Sequence, residues 1–414
     1  MDHVLGLRCV ICGAEYGADE VRYVCPKHGA EGILDVIYDY DLIRQRLSRE
    51  KLAANRDYSI WRYADLLPIA DRTLAPPLQI GWTPLYHTRR LGVQLGLPHL
   101  YIKDDGRQAT ASFKDRASAV GVIKAHELGA EVITAASTGN AASSLAGVAA
   151  SVGQRTIIFV PETAPQAKVA QLLIFGATVI MVQGNYDQAF DLCLAATAEY
   201  GWYSRNTAFN PYLSEGKKTA ALEVCEQLGW EAPDKIFVSV GDGCIIGGLW
   251  KGLRDLLALD FIDKIPQLIG VQAEGSAVLF KAWQSGTEEI EPIVPHTLAD
   301  SISVGIPRDR IKALRAVRES GGRYVTVSDE EILDAMRILA REAAVFAEPA
   351  GATGFAGLQK MLRDGQVDPG DKIVVIVTGN GLKDIASAMK AVGEPYRIEP
   401  TAEALRKLVR SHHL

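Results

Sequence analysis

From residue 100 onward the chain keeps one rhythm. Short apolar, β-rich runs occur at 100–103, 132–135, 156–160, 178–182, 236–240, 268–272, 324–327 and 373–377, and helix-length segments lie between most of them. Runs that stay apolar without alternating belong to strands covered on both faces, which is the condition of a parallel sheet with helices packed on either side. An α/β fold follows. At roughly 150 residues per domain, 414 residues leave room for two or three compact units. Parallel sheets of this kind bind ligands beyond the carboxyl ends of their strands, so chemistry is expected in the loops that follow these runs.

Three such loops are rich in glycine and hydroxyls. Ser137-Thr138-Gly139-Asn140 presents an uncharged donor cluster suited to a carboxylate. Gly241-Asp242-Gly243-Cys244-Ile245 exposes successive N–H groups ahead of a helix, which suits a phosphate. Thr378-Gly379-Asn380-Gly381 follows the run at 373–377. A fourth loop carries Ser112-Phe113-Lys114-Asp115-Arg116, again between a strand and a helix. An ammonium at a helix N-terminus is disfavoured by the helix dipole, which lowers the amine's pKa and makes Lys114 a candidate Schiff-base nucleophile; a solvated surface lysine is the plainer reading of a lone lysine, and the pentapeptide alone does not decide between them. The dinucleotide fingerprint is not met: Ile246 stands where a third glycine is needed, and no acid follows at the right distance. The Walker loop, the nucleophile elbow and the His-Glu-x-x-His helix are absent from the sequence.

The first 34 residues are different. Cys9 and Cys12 form one pair and Cys25 and His28 another, each spaced by two residues and each followed by a glycine. That is the spacing of a structural zinc knuckle with three thiolates and an imidazole; free thiols or a site that has lost its metal are the alternative. So short a segment needs a metal to fold on its own. The three remaining cysteines are scattered, which excludes a disulfide scaffold. Cys244 reads either as an oxidation-sensitive thiol or as a small packed residue. Periodicity predicts a helix over 41–51, and Ser328-Asp-Glu-Glu331 is a capping box opening a helix to about Ala344. The isolated histidines His87, His99, His126 and His296 read as solvated or capping groups.

Composition narrows the function. A net charge of −6 gives no long-range attraction to nucleic acid or anionic lipid. No run of about 18 apolar residues is present to span a bilayer. Met1-Asp2-His3-Val4 does not open a secretory signal, so a cytoplasmic protein is expected.

Taken in order, Trp61-Arg62-Tyr63, Gly81-Trp82-Thr83-Pro84-Leu85, Ser112–Arg116, Ser137–Asn140, the turn at 241–245, Glu348-Pro349-Ala350 and Thr378–Asp384 resemble the threonine synthase family of fold-type II pyridoxal-phosphate (PLP) enzymes. The likeness spans roughly residues 60–390. It implies two three-layer α/β/α domains: a large PLP-binding domain at 35–103 and 211–395, and a small inserted domain at 104–210. A zinc-ribbon-like appendage at 1–34 and a tail helix at 396–414 complete the expected chain. Carried over by position, Lys114 would hold PLP covalently, Asn140 would meet the pyridine 3-oxygen, and Gly241, Asp242, Gly243, Cys244 and Ile245 would cup the cofactor phosphate. Thr378 would face the ring nitrogen, and Ser137 with Thr138 would bind the substrate carboxylate. The reaction implied is O-phospho-L-homoserine and water to L-threonine and phosphate, by an amino-acid-binding enzyme that resembles a homodimer family.

The sequence departs from the family in three places. Gln108-Ala109-Thr110-Ala111 replaces an Asn-Pro-Thr-Gly, and Asp242 puts a carboxylate beside the proposed phosphate cup. Leu213 stands where relatives often carry an arginine that grips the substrate phosphate, so Lys168, Lys217 or Lys218 would have to contribute. Two rivals stand beside this reading. One is β-elimination or β-replacement on serine, threonine or phosphoserine. The other is a binding module acting through the Cys/His segment.

Overall fold

The computed structural model describes residues 1–412. Its strands, in chain order, are β1 (Val4–Cys9), β2 (Glu15–Tyr16), β3 (Leu34–Tyr38), β4 (Leu85–His87), β5 (Leu100–Asp104), β6 (Val132–Ala136), β7 (Arg155–Pro161) and β8 (Thr178–Val182). They continue with β9 (Tyr203–Ser204), β10 (Lys235–Ser239), β11 (Gln267–Ala273), β12 (Arg323–Val327) and β13 (Ile373–Val377). Each of the eight expected runs is a strand. The dipeptide β9 and the tripeptide β4 were too short to leave a pattern.

The larger sheet has the order β12-β11-β10-β13-β5-β4 and is parallel except for the antiparallel edge strand β4. Strand β13 shows why its sequence does not alternate. Val374 and Ile376 pack into one hydrophobic cluster, while Ile373, Val375 and Val377 pack into another on the opposite face. All five are fully buried, each stabilising the fold by about 2 kcal/mol. The second sheet, β8-β7-β6-β9, is parallel and likewise two-sided: Phe159 of β7 faces one cluster, Ile158 and Val160 the other.

Helix Lys114–Glu127 crosses close to helix Tyr212–Gln227. A Cβ at Gly216 would lie 2.1 Å from the Arg116 carbonyl oxygen, so only glycine permits this approach. It sets the faces of two helices that both reach the site described below.

Two expectations need correction. The helix expected over 41–51 is two helices, Tyr40–Arg46 and Arg49–Ala54, because Ser48 leaves helical geometry and its hydroxyl caps the Lys51 N–H at 3.2 Å. The N-terminal unit does not stop at residue 34, since β3 pairs with β1 and carries its sheet to Tyr38. The predicted capping box is present at Ser328 and Glu331, opening helix Asp329–Ala343. Helix Ala402–His412 lies in the expected tail and buries no residue; positions 413 and 414 fall outside the described residues. No helix among the described residues is long and apolar enough to cross a membrane.

Candidate active site

Strands β10, β13 and β5 are neighbours, so their carboxyl ends deliver the 241 turn, the 378 turn and the 105–114 loop to one edge of the sheet. Main-chain bonds tie the last two together: Phe113 N–H donates to the Thr378 carbonyl at 2.9 Å and Asn380 N–H to that of Ala111 at 3.1 Å. Glu348 N–H joins them by donating to Gly379 at 3.0 Å.

The residues flanking Lys114 hold it in place. Asp115 accepts from the Thr110 N–H at 2.6 Å, closing the loop ahead of the helix. Arg116, fully buried, donates to Asp105 at 2.6 Å and to Glu223 at 2.5 and 2.8 Å, and Lys103 donates to Glu223 at 2.7 Å. Every charge in that group has an opposite partner.

Lys114 differs. It is half-buried, makes no hydrogen bond or ion pair among the described residues, and faces a cavity of about 850 Å³. Burial, reinforced by the charge of Lys217, lowers its amine from 10.5 to about 8. A lysine so placed is neutral in about one molecule in ten at pH 7, roughly 300 times the share of an ordinary lysine, and is competent as nucleophile and base. The same cavity is lined by Ser137, Thr138, Asn140, Lys217, Gly241, Asp242, Gly243, Cys244, Ile245 and Thr378.

The 241 turn opens helix Cys244–Ala258, whose first turn leaves N–H groups without intrahelical acceptors. Gly243 has φ +93°, and a Cβ there would come 2.6 Å from that of Ala313. Asp242 accepts the main-chain N–H of Arg308 at 3.3 Å. On the opposite wall, the Asn140 amide donates to Glu348 at 2.7 Å, and burial raises the Glu348 carboxyl to about 7. Gly139 N–H donates to the Ser137 hydroxyl at 3.2 Å, shaping the turn after β6.

The family described as "Pyridoxal-phosphate dependent enzyme" matches residues 77–379. The threonine synthase of Methanocaldococcus jannaschii is 41% identical over 405 residues, covering 97% of this chain and 99% of that one. The threonine synthase of Methanosarcina acetivorans is 40% identical over 405 residues, with 97% and 98% covered. The chain belongs to the threonine synthase family of PLP-dependent enzymes. Among solved structures, processed threonine deaminase isoform 2 from Solanum lycopersicum superposes with a TM-score of 0.65 at 21% identity, covering 90% of this chain and 96% of that one. A PLP-dependent aspartate racemase gives a TM-score of 0.63 at 24% identity, with 73% and 91% covered. Likenesses at that identity establish the fold alone.

The cavity fits the family cofactor. It offers a free amine, a turn with unpaired N–H donors and no room for a Cβ at Gly243, and the fully buried Ser239 hydroxyl, which lines the wall with no partner.

Two expected substrate-binding lysines are placed elsewhere. Lys218 does not line the cavity: its ammonium is sealed between Glu215 at 2.5 Å and Asp255 at 2.6 Å, because one step along a helix turns a side chain by about 100°. Lys168 lies in a small adjoining recess and pairs with Asp300. Leu213 is buried. Sequence reading missed Arg205, which follows the dipeptide strand β9, and assigned no role to Glu348 although it quoted the motif containing it.

The N-terminal cluster is also assembled. The ligand atoms of Cys9, Cys12, Cys25 and His28 all lie within 4.8 Å of one another. Behind them, Val10 and Ile33 pack on Ala208 and on Cys244 of the 241 turn. Lys312, at 2.6 Å from Asp35, and Arg315, donating to the Val10 carbonyl at 2.6 Å, pin the same unit to the large domain.

Proposed function

We propose that this chain is a threonine synthase that converts O-phospho-L-homoserine and water to L-threonine and phosphate. The observation that carries the reading is the free amine of Lys114 in one cavity with the Ser137–Asn140, Gly241–Ile245 and Thr378 turns, in a chain 41% identical to a threonine synthase across nearly its whole length.

In this reading PLP, when bound, supplies the electron sink that lets a proton leave the substrate Cα. The protein does the rest. The N–H groups of the turn from Gly241 to Ile245, Cys244 among them, would hold the cofactor phosphate at the helix N-terminus. Asn140, whose amide donates to Glu348, would bind the ring's 3-oxygen, and Thr378 would offer the ring nitrogen a hydroxyl rather than a charge. Ser137 and Thr138 bind the substrate carboxylate. Lys114 would hold the cofactor through its amine and would serve as base and acid, taking protons from Cα and Cβ and delivering protons to Cγ and Cα as phosphate leaves Cγ and water adds at Cβ. Closure of the smaller unit, residues 104–210, keeps bulk water out until the phosphate has left.

We also take Cys9, Cys12, Cys25 and His28 as a structural zinc site. Four protein ligands leave no open position, so its role is to stiffen the unit that backs the 241 turn. One zinc per chain is expected from metal analysis of protein made in zinc-replete medium, and metal-free protein would contradict it. A cytoplasmic homodimer acting on small molecules, with neither nucleic acid nor membrane as a partner, completes the reading.

The test is a substrate panel with the PLP-loaded enzyme. Phosphohomoserine should give threonine and phosphate in equal amounts. Phosphohomoserine left intact while threonine yields 2-oxobutanoate would replace this function with a dehydratase.

A further inference from the structure

Not every charge lining the cavity has a partner of opposite sign. Its four acids have hydrogen-bond or ion-pair partners: Asp300 pairs with Lys168 and Asp187 lies 3.8 Å from the Arg308 guanidinium, while Asp242 accepts the main-chain N–H of Arg308 and Glu348 accepts from the Asn140 amide. Two buried cations on the wall have none. Arg205 is 1% exposed; its Nε donates to the Ser118 hydroxyl at 3.2 Å and its Nη2 is buried with no partner. Lys217 is 2% exposed and makes no hydrogen bond or ion pair among the described residues. The fully buried Asp309 carboxylate acts on Lys217 without reaching ion-pair distance. A guanidinium and an ammonium buried together with no carboxylate at ion-pair distance are costly, and such a pair persists where a ligand supplies the missing contact.

Their position is informative. Arg205 leaves the end of β9, beside β6, and Lys217 comes from helix Tyr212–Gln227. The 241 turn binds through main-chain donors from the other sheet. Leu213 lies one turn before Lys217, and a Cβ at Gly121 would be 3.0 Å from Leu213 Cδ2 and 4.0 Å from Arg205 Cγ. An arginine at 213 would therefore reach toward ground that Arg205 already borders.

We infer that Arg205 and Lys217 form a second anion subsite, distinct from the 241 turn, that grips the phosphate monoester of the substrate and takes the place of an arginine at position 213. This rests on the reading above, and it makes the pair specificity-determining. The guanidinium fork supplies directed donors to the phosphate oxygens and Lys217 supplies charge. Burial lowers Arg205 to about 10 and depresses Lys217 as well, and a dianion would reverse both shifts.

The experiment uses cofactor-saturated enzyme and inorganic phosphate as the probe, with binding followed by the cofactor's absorbance and cofactor affinity followed separately by fluorescence titration. Arg205→Gln and Lys217→Met should each weaken inorganic phosphate about 10- to 100-fold, and raise KM for phosphohomoserine in step. Cofactor affinity should stay within about threefold. Arg205→Lys guards against a folding defect and should recover part of the loss, as should Leu213→Arg added to Arg205→Gln. Cofactor affinity falling while phosphate binding is unmoved would overturn the inference, assigning the pair to the cofactor. Wild-type enzyme that binds inorganic phosphate through this pair but leaves phosphohomoserine intact would uphold the subsite and remove the proposed activity.

Discussion

Helices Lys114–Glu127 and Tyr212–Gln227 each contribute to two charged clusters, and these are built on opposite principles. In one, Lys103, Asp105, Arg116 and Glu223 are each fully buried and each paired at 2.5–3.0 Å. In the other, Lys114, Arg205 and Lys217 face a cavity with no carboxylate partner. Lys114 and Arg116 are two residues apart in one pentapeptide. The comparison teaches that a buried charge whose partners are all present is part of the scaffold. A buried charge whose partner is missing points to a ligand.

The sharpest way to break this comparison is to alter the adjacent lysines of the second helix. Lys218→Met removes the cation between Glu215 and Asp255, leaving carboxylates buried with only Lys251 and the hydroxyls of Tyr38 and Tyr40 to offset them. Urea unfolding should show a loss of about 3–5 kcal/mol. Lys217→Met removes a cation that has no partner, and the same measurement should show no loss and a gain of up to about 1 kcal/mol. Equal losses for the two variants would mean that Lys217 is a scaffold charge and that the distinction fails.

A smaller effect separates Lys114 from an ordinary lysine. Burial and the neighbouring positive charge bring its amine to about 8, below its usual 10.5. The neutral form captures aldehydes, so the rate at which cofactor-free enzyme takes up PLP should rise with pH and level off above about 8. A rate still climbing tenfold per pH unit above about 9 would show an unshifted amine.

What the sequence revealed of this division depended on range. The eight strands of the two parallel sheets other than the short β4 and β9 were legible because two-sided burial strips polar residues from a run, as in β13. Lys114 was legible because its motif is local. The partner that fixes its neighbour Arg116 was not, since Glu223 lies 107 positions along the chain. Nor was the assignment between Lys217 and Lys218, which are consecutive in sequence but separated by the turn of the helix: one reaches the cavity and the other an ion-pair site. Arg205 carried no signal, because a two-residue strand has no periodicity and its meaning appears only beside Leu213 and Gly121. The helix break at Ser48 was readable in principle, for serine caps helices, but the apolar spacing ran across it.

The account turns on which amine in the cavity takes the aldehyde. Enzyme loaded with PLP and reduced with borohydride, then digested and mapped by mass spectrometry, should carry a single phosphopyridoxyl group on Lys114. A label on Lys217 instead, or none on Lys114, would contradict it.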